Sequence, residues 1–120
     1  MNRRVGGVIF FKVDGELFQA KGEFTYNVNP FKRESVVGPD GVHGFKEEAQ
    51  VQFIEGAITD SDELDLEGFQ KIRDATVMLE LANGKVIQLR EAFYAADGDV
   101  TTSEGEIQVR FEGIKGREIR

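Results

Sequence analysis

The chain contains no cysteine, so neither a disulfide framework nor a thiolate metal site is open to it. It has no tryptophan, one histidine and two prolines. No stretch approaches the roughly 20 apolar residues of a membrane-spanning helix. The N-terminal run from Met1 to Gly7 lacks the apolar core of a signal peptide. An excess of basic residues is missing too. Lys and Arg number 15 against 22 Asp and Glu, a formal charge of −7. Affinity for nucleic acid comes mainly from clustered Lys and Arg, so a diffuse acidic surface argues against a phosphate-gripping groove. What remains is an ordinary soluble composition, 31% charged and 40% hydrophobic over 120 residues. That length suits one domain with a single modest core. Ten phenylalanines point to a Phe-rich interior.

Most of the chain reads as strand. Gly7 to Val13 is β-branched and aromatic, and Asp14-Gly15 is a hairpin turn signal before a returning strand over Glu16 to Lys21. Glu23 to Val28 alternates polar with aromatic. Phe45 to Glu55 places Ala49, Val51 and Phe53 on one face and Lys46, Glu48, Gln50 and Gln52 on the other, predicting one core face and one wet face. Leu66 to Arg73 is the single helix candidate. Asp65 is its N-cap, Leu64 and Phe69 form a hydrophobic staple, and Leu66, Phe69 and Ile72 make the apolar stripe. Thr76 to Ala82 and Lys85 to Ala95, joined by Asn83-Gly84, form the strongest hairpin, with a type I′ turn expected. Asp97-Gly98-Asp99 and Thr101 to Ser103 form the next turn. Glu104 to Gly113 puts Ile107, Val109 and Phe111 on one side, and Glu104, Glu106, Gln108, Arg110 and Glu112 on the other. Lys115 to Arg120 is polar and expected to fray. The fold class is therefore mainly β: an antiparallel sandwich or barrel of about seven strands with one short flanking helix. There is no internal repeat and no low-complexity tract.

Between two strands lies Asn29 to Gly44, which reads as a long extended loop. Connections longer than about 12–15 residues are uncommon unless functional or disordered. This one holds Pro30, Pro39, His43 and Arg33, with Phe31, Val36, Val37 and Val42 as apolar side chains that need a partner. An arm of this kind on a small domain suggests burial against another molecule.

The residues do not assemble a reaction centre. His43 has no second histidine and no cysteine to share a metal, so packing or hydrogen bonding suits it better than catalysis. The acidic run Asp60 to Asp65 departs from a calcium loop, with Leu64, Asp65 and Lys71 where an oxygen ligand, a glycine and a glutamate would stand. Acids before a helix N-terminus explain it. Gly38, Gly41 and Gly44 are followed by strand rather than helix, so a turn accounts for them better than a phosphate cradle. Asp97 and Asp99 could bind a cation, though Asp-Gly in a strand connection is usually a turn. Ser35, Ser61 and Ser103 have no adjacent base. The expectation is a protein that is not an enzyme and carries no cofactor or metal.

Phe24-Thr25-Tyr26-Asn27, the long run Lys32 to Gly44 (KRESVVGPDGVHG), Ile54-Glu55-Gly56, Ala75 to Lys85 (ATVMLELANGK) and Glu104 to Gly113 (EGEIQVRFEG) together resemble the Mu-like phage tail tube proteins. The likeness runs from about Gly6 to Ile114, and its specificity lies in the Lys32–Gly44 run. It implies a structural subunit that forms six-membered rings stacked into a hollow tube within a contractile sheath. It further implies other copies of the chain, a tail sheath protein, a tape measure protein and baseplate or terminator proteins as partners. DNA would be met only in passage and without sequence preference. The expected location is the virion tail, assembled in the bacterial host cytoplasm.

Under that likeness, the arm residues Pro30, Phe31, Arg33, Val36, Val37, Pro39, Val42 and His43 are expected to pack on a neighbouring copy. Lys46, Glu48, Gln50, Gln52, Glu106, Gln108, Arg110 and Glu112 are candidates for the channel wall. Polar strand faces are also the ordinary solvent side of antiparallel sheets. An acidic wall would repel phosphate and let DNA slide, with charges beyond about 8–10 Å screened by salt. The residues alone also allow a small β-sandwich binding module that holds a peptide or effector through the arm. A tube subunit of a related contractile secretion or bacteriocin particle is a close variant.

Overall fold

The computed structural model describes residues 8–60, 66–95, 102–103 and 105–119. Strands β1 (Val8–Val13), β2 (Glu16–Phe18), β7 (Ala75–Leu81), β8 (Val86–Tyr94) and β11 (Lys115–Glu118) form one sheet. Strands β3 (Ala20–Asn27), β6 (Gln52–Thr59), β9 (Thr102–Ser103) and β10 (Glu106–Gly113) form the other. All pairings are antiparallel, and the end of β8 joins the two sheets by pairing Tyr94 with Phe111 of β10. The combined sheet runs β2-β1-β7-β8-β10-β6-β3 and does not close. The antiparallel, mainly β class with one short described helix, α1 (Leu66–Gln70), agrees with the sequence.

β8 passes from one sheet to the other through a bulge. Ala92 pairs with Ala75 and Leu89 with Val77, so β8 spends one more residue than β7 there. Glu91 takes up the difference at φ 55°, a left-handed conformation that costs a residue with a Cβ about 1–2 kcal/mol. The preceding hairpin turns differently from the expected type I′. Asn83 is not among the residues with positive φ, and Gly84 alone has φ 94°. The Leu81 amide donates to Lys85 across three loop residues, the geometry of a type I turn ending in a glycine bulge. At Asp14-Gly15, φ values of 52° and 85° give the type I′ form.

The core is sealed between the sheets by Phe11, Ile54, Ile58, Val77, Leu79, Ile87, Leu89 and Phe111, all fully buried. Phe69 reaches in from α1. Its ring meets Phe111 at 5.2 Å and 89°, Tyr94 at 5.6 Å and Phe18 at 5.1 Å. These edge-to-face contacts anchor a helix too short to persist alone. Not every phenylalanine is interior, however: Phe10, Phe31, Phe45 and Phe93 are exposed.

Three local expectations are corrected. The strand expected from Phe45 to Glu55 breaks at Gln50–Val51, and β6 faces the other way. Gln52, Ile54 and Ile58 are buried while Val51 is exposed. A one-residue change of phase exchanges the two faces of a strand, and here the apolar Phe53 lies outward. The helix ends at Gln70 rather than Arg73, its last turn tightening through Lys71 and Ile72 amides that donate to Gly68 and Phe69. Asp65, the expected cap, lies outside the described residues, as do Asp97 and Asp99. The polar tail does not fray through 115–118. It pairs with β8 as β11, and Lys115 and Glu118 form ion pairs with Glu91 and Lys85 at 3.0 and 3.3 Å.

Candidate functional site

The expected long loop is a two-stranded hairpin. Among the described residues, β4 (Phe31–Gly38) and β5 (Gly41–Ala49) pair only with each other and make a separate sheet. The sequence suggests a loop because proline and glycine punctuate these strands and because neither, exposed on both faces, shows the polar-apolar alternation of a half-buried strand. Pro39 and Asp40 occupy the turn between the paired residues Gly38 and Gly41, where Pro presets φ. One extra residue on β5, between the pairs Val36–Gly44 and Val37–Val42, makes a bulge near the tip.

The hairpin prolongs the β3–β6 ribbon beyond the body of the domain. Asn27 pairs with Phe53 at the end of the body, and Phe31 pairs with Ala49 at the start of the hairpin. Between them the Asn27 and Asn29 side-chain oxygens accept from the amides two residues on, at 2.9 and 3.2 Å. These Asx turns explain the polar spacing of the hinge. Gln50 ties the opposite strand, its side-chain amide donating to the Asn29 carbonyl at 2.8 Å. The resulting shape is long, 60 × 41 × 26 Å with a radius of gyration of 17.0 Å. A compact chain of this size would have about 14 Å.

Opposite residues of an antiparallel pair share a face. One hairpin face carries Lys32 with Glu48 at 3.4 Å and Glu34 with Lys46 at 3.5 Å, followed by Val36. The other carries Phe31, then Arg33 with Glu47 at 2.8 Å, then Phe45, Val37 and Val42. The Arg33 guanidinium lies 4.9 Å from the Phe45 ring centre. Exposed pairs like these contribute roughly 0–1 kcal/mol each, and a lone two-stranded hairpin is marginal in water. Yet Val37 and Val42 are 70% and 69% exposed, and Phe31, Val36, Phe45 and Val51 are also exposed. At the tip, the His43 ring covers Gly38, where a Cβ would come within 2.6 Å of Nε2. The same nitrogen lies 2.7 Å from Asp40 Oδ1.

The eight candidate wall residues fall into four places. Lys46 and Glu48 belong to the ion-paired hairpin face, and Gln50 belongs to the hinge. Gln52 is inside: its amide nitrogen donates to the Ile114 carbonyl at 2.7 Å and its oxygen accepts from the Gly116 amide at 2.9 Å. It therefore fastens β6 to the β10–β11 turn. Glu106, Gln108, Arg110 and Glu112 lie together on the outer face of the second sheet. Arg110 organises that face. It bonds Glu112 at 2.8 Å, pairs with Glu55 of β6 and sits 4.0 Å from the Phe53 ring centre. Partial burial alone would lower the Arg110 guanidinium, but hydrogen bonds and Coulomb attraction from Glu112 and Glu55 outweigh it and raise the guanidinium above its ordinary value. Glu55 and Phe53 were not among the expected site residues, because their role depends on the reversed phase of β6.

A shallow groove of about 550 Å³ opens beside the end of α1, lined by Gln70, Lys71, Ile72, Arg73, Phe93 and Tyr94. Lys71 makes one loose, exposed ion pair with Glu67 at 3.6 Å. The buried Gln70 side-chain amide is directed at the Tyr94 phenol. Burial pushes the Tyr94 phenol above the usual tyrosine value, with the Gln70 amide acting in the opposite sense. Among the described residues no cluster of three His, Asp or Glu side chains could hold a metal, and no helix is long and apolar enough to cross a membrane.

Residues 2–118 match the family described as phage tail tube protein. Comparison with curated proteins gives no significant match. Among solved structures the fold is similar to a chain of the "anti-feeding prophage cap (AFP tube terminating cap)". The TM-score is 0.60 at 11% identity, covering 91% of this chain and 85% of that one. At that identity the likeness speaks for the fold.

Proposed function

Because the chain belongs to the phage tail tube family, we propose that it is a structural, non-catalytic subunit that self-assembles into stacked hexameric rings, forming the hollow channel of a contractile tail. The observation that carries this reading is the freestanding hairpin. It holds Phe31, Val37, Val42 and Phe45 exposed on one side, and no other element among the described residues covers them. Burying such side chains contributes about 25 cal/mol per Å² of apolar surface, so a neighbouring copy would both cover and rigidify the hairpin. The edges at β2 and β3, unpaired among the described residues, offer backbone groups for continuing the sheets between copies.

The outer face of the second sheet suits a channel wall. Glu106, Gln108, Arg110 and Glu112 give a polar surface, and Glu55 adds a further acid. The ties among Arg110, Glu55 and Glu112 hold the cation away from free phosphate, so DNA in passage would meet an ordered, net acidic surface. Lys46, Glu48 and Gln50 would extend that wall only if the charged hairpin face also turns inward. Gln52 drops out, being buried. The sheath, tape measure and terminator proteins would be met elsewhere on the tube.

The deciding experiment is negative-stain microscopy of the concentrated protein. Stacked rings or tubes are the expected result, and dispersed monomers at high concentration would favour a binding module instead. For the wall, Glu106→Lys should leave tubes intact and impair DNA delivery; unchanged delivery would remove this face from the lumen.

A further inference from the structure

The most exposed apolar side chains of the hairpin, Val37 and Val42, flank its turn, and Asp40 in that turn is 80% exposed at its side chain. Its Oδ1 faces His43, which leaves Oδ2 for another donor. The tip is thus two apolar groups around one carboxylate. Elsewhere in the same chain, the groove beside α1 has the opposite character. Its floor includes the exposed ring of Phe93 and half-buried Ile72. Its rim carries Lys71 and Arg73 on a chain whose formal charge is −7. Arg73 forms no ion pair among the described residues.

We propose that the hairpin tip of one copy seats in the groove beside α1 of another copy, with Val37 and Val42 against Phe93 and Ile72 and Asp40 against Arg73. The inference rests on the reading that the chain self-assembles through its hairpin, and it names the receiving surface. The occupant is a second copy because the tip does not fill its own chain's groove: Val37 and Val42 remain 70% and 69% exposed. Tip and groove are different patches, so the contact is head-to-tail, the kind that generates closed rings or open filaments rather than isolated pairs. A carboxylate meeting two cations over an apolar floor also selects against tip-to-tip and groove-to-groove contacts, in which like charges would face each other.

The test uses charge reversal in the full chain. Asp40→Arg and Arg73→Asp are made singly, and Asp40→Asn removes the charge while keeping an acceptor for His43. Both sites are exposed, and circular dichroism verifies the fold. Sedimentation velocity and negative-stain microscopy read assembly. Each reversal alone should remain monomeric where the parent chain assembles, and Asp40→Asn should assemble only at higher concentration. An equimolar mixture of the two reversals should assemble again, because each tip then finds a complementary groove on the other variant. Reversals that assemble like the parent would overturn the inference, as would a mixture of folded variants that stays monomeric. If a chain without the hairpin is monomeric while the reversals assemble normally, the groove inference fails and the hairpin reading stands. A parent chain that never assembles removes both.

Discussion

The Pro30 carbonyl accepts a hydrogen bond from the Gln50 amide at 2.9 Å, closing the β3–β6 ribbon just below the hairpin. The body of the domain therefore ends at a bridged pair, and nothing beyond it contributes to the buried core. Replacing residues 31–49 with a short glycine-rich turn should leave a folded monomer with nearly the parent's thermal midpoint. The same variant should form no rings or tubes. Calorimetry with sedimentation velocity checks both; loss of the monomer fold would show that the hairpin belongs to its own chain's core.

Arg110 should resist conservative replacement. Its side chain is 34% exposed, yet it stacks on Phe53 and reaches Glu55 and Glu112 together. A lysine cannot reproduce a planar fork that serves two carboxylates and a ring. Arg110→Ala should lose about 1–2 kcal/mol, from cation–π, ion-pair and stem packing contributions and from two acids left facing each other. Arg110→Lys should recover less than half of it. Urea unfolding in low and high salt measures this, and the loss should shrink with salt because screening weakens the repulsion between the two acids.

Glu91 invites the opposite test. Its φ of 55° costs about 1–2 kcal/mol, which glycine would relieve. Glycine in turn loses about 0.5–1 kcal/mol of chain entropy. It also removes the exposed pair with Lys115, worth roughly 0–1 kcal/mol. Glu91→Gly should therefore lie within about 0.5 kcal/mol of the parent by the same bookkeeping. Glu91→Val, β-branched in a left-handed position, should cost about 1–3 kcal/mol. Equal midpoints for the two variants in chemical denaturation would refute the assignment of strain.

Much of this was legible in the residues. Ile107, Val109 and Phe111 announced both the strand and its buried face, because β10 lies over a core on one side and solvent on the other. Asp14-Gly15 announced its turn through local backbone preference. β6 was misread because Val51 and Phe53 continue an alternation that starts in the hairpin, where neither face has a core. Nothing local reveals that the chain changes partner sheets at Gln50. Lys115 to Glu118 looked idle because an edge strand with no core face carries no apolar signal. The Lys32–Gly44 run identified the family without revealing its conformation. Its paired register depends on Lys32–Glu48 and Arg33–Glu47 contacts made across 14 or more positions.

Gly56 lies under the Phe24 ring so closely that an added Cβ would fall 2.5 Å from ring carbons. The ring cannot retreat freely, since it packs on Phe11 at 5.0 Å between centres. Gly56→Ala should cost about 1–3 kcal/mol, the usual penalty for overpacking. Gly56→Ala combined with Phe24→Leu should recover part of that loss, because the smaller side chain vacates the clash. A double-mutant cycle by thermal unfolding measures the coupling, and additive losses would disprove a direct contact.

Tyr94 predicts the alkaline limit of stability. Burial raises its phenol above the ordinary value of 10.0, so the folded state keeps a proton that the unfolded chain releases. Between the unfolded and folded values the native state binds more protons, and stability falls as pH rises. The contribution is intact below about pH 10 and is lost progressively as pH climbs through the folded value. Tyr94→Phe removes the titrating group while keeping the ring contacts with Phe69 and Phe111 at 5.6 Å each. The parent should therefore lose thermal stability above about pH 10 more steeply than Tyr94→Phe. Tyrosinate absorbance in the two chains would follow the ionisation directly. Identical alkaline slopes would mean that the phenol titrates alike in both states, and that its burial relaxes before the fold is lost.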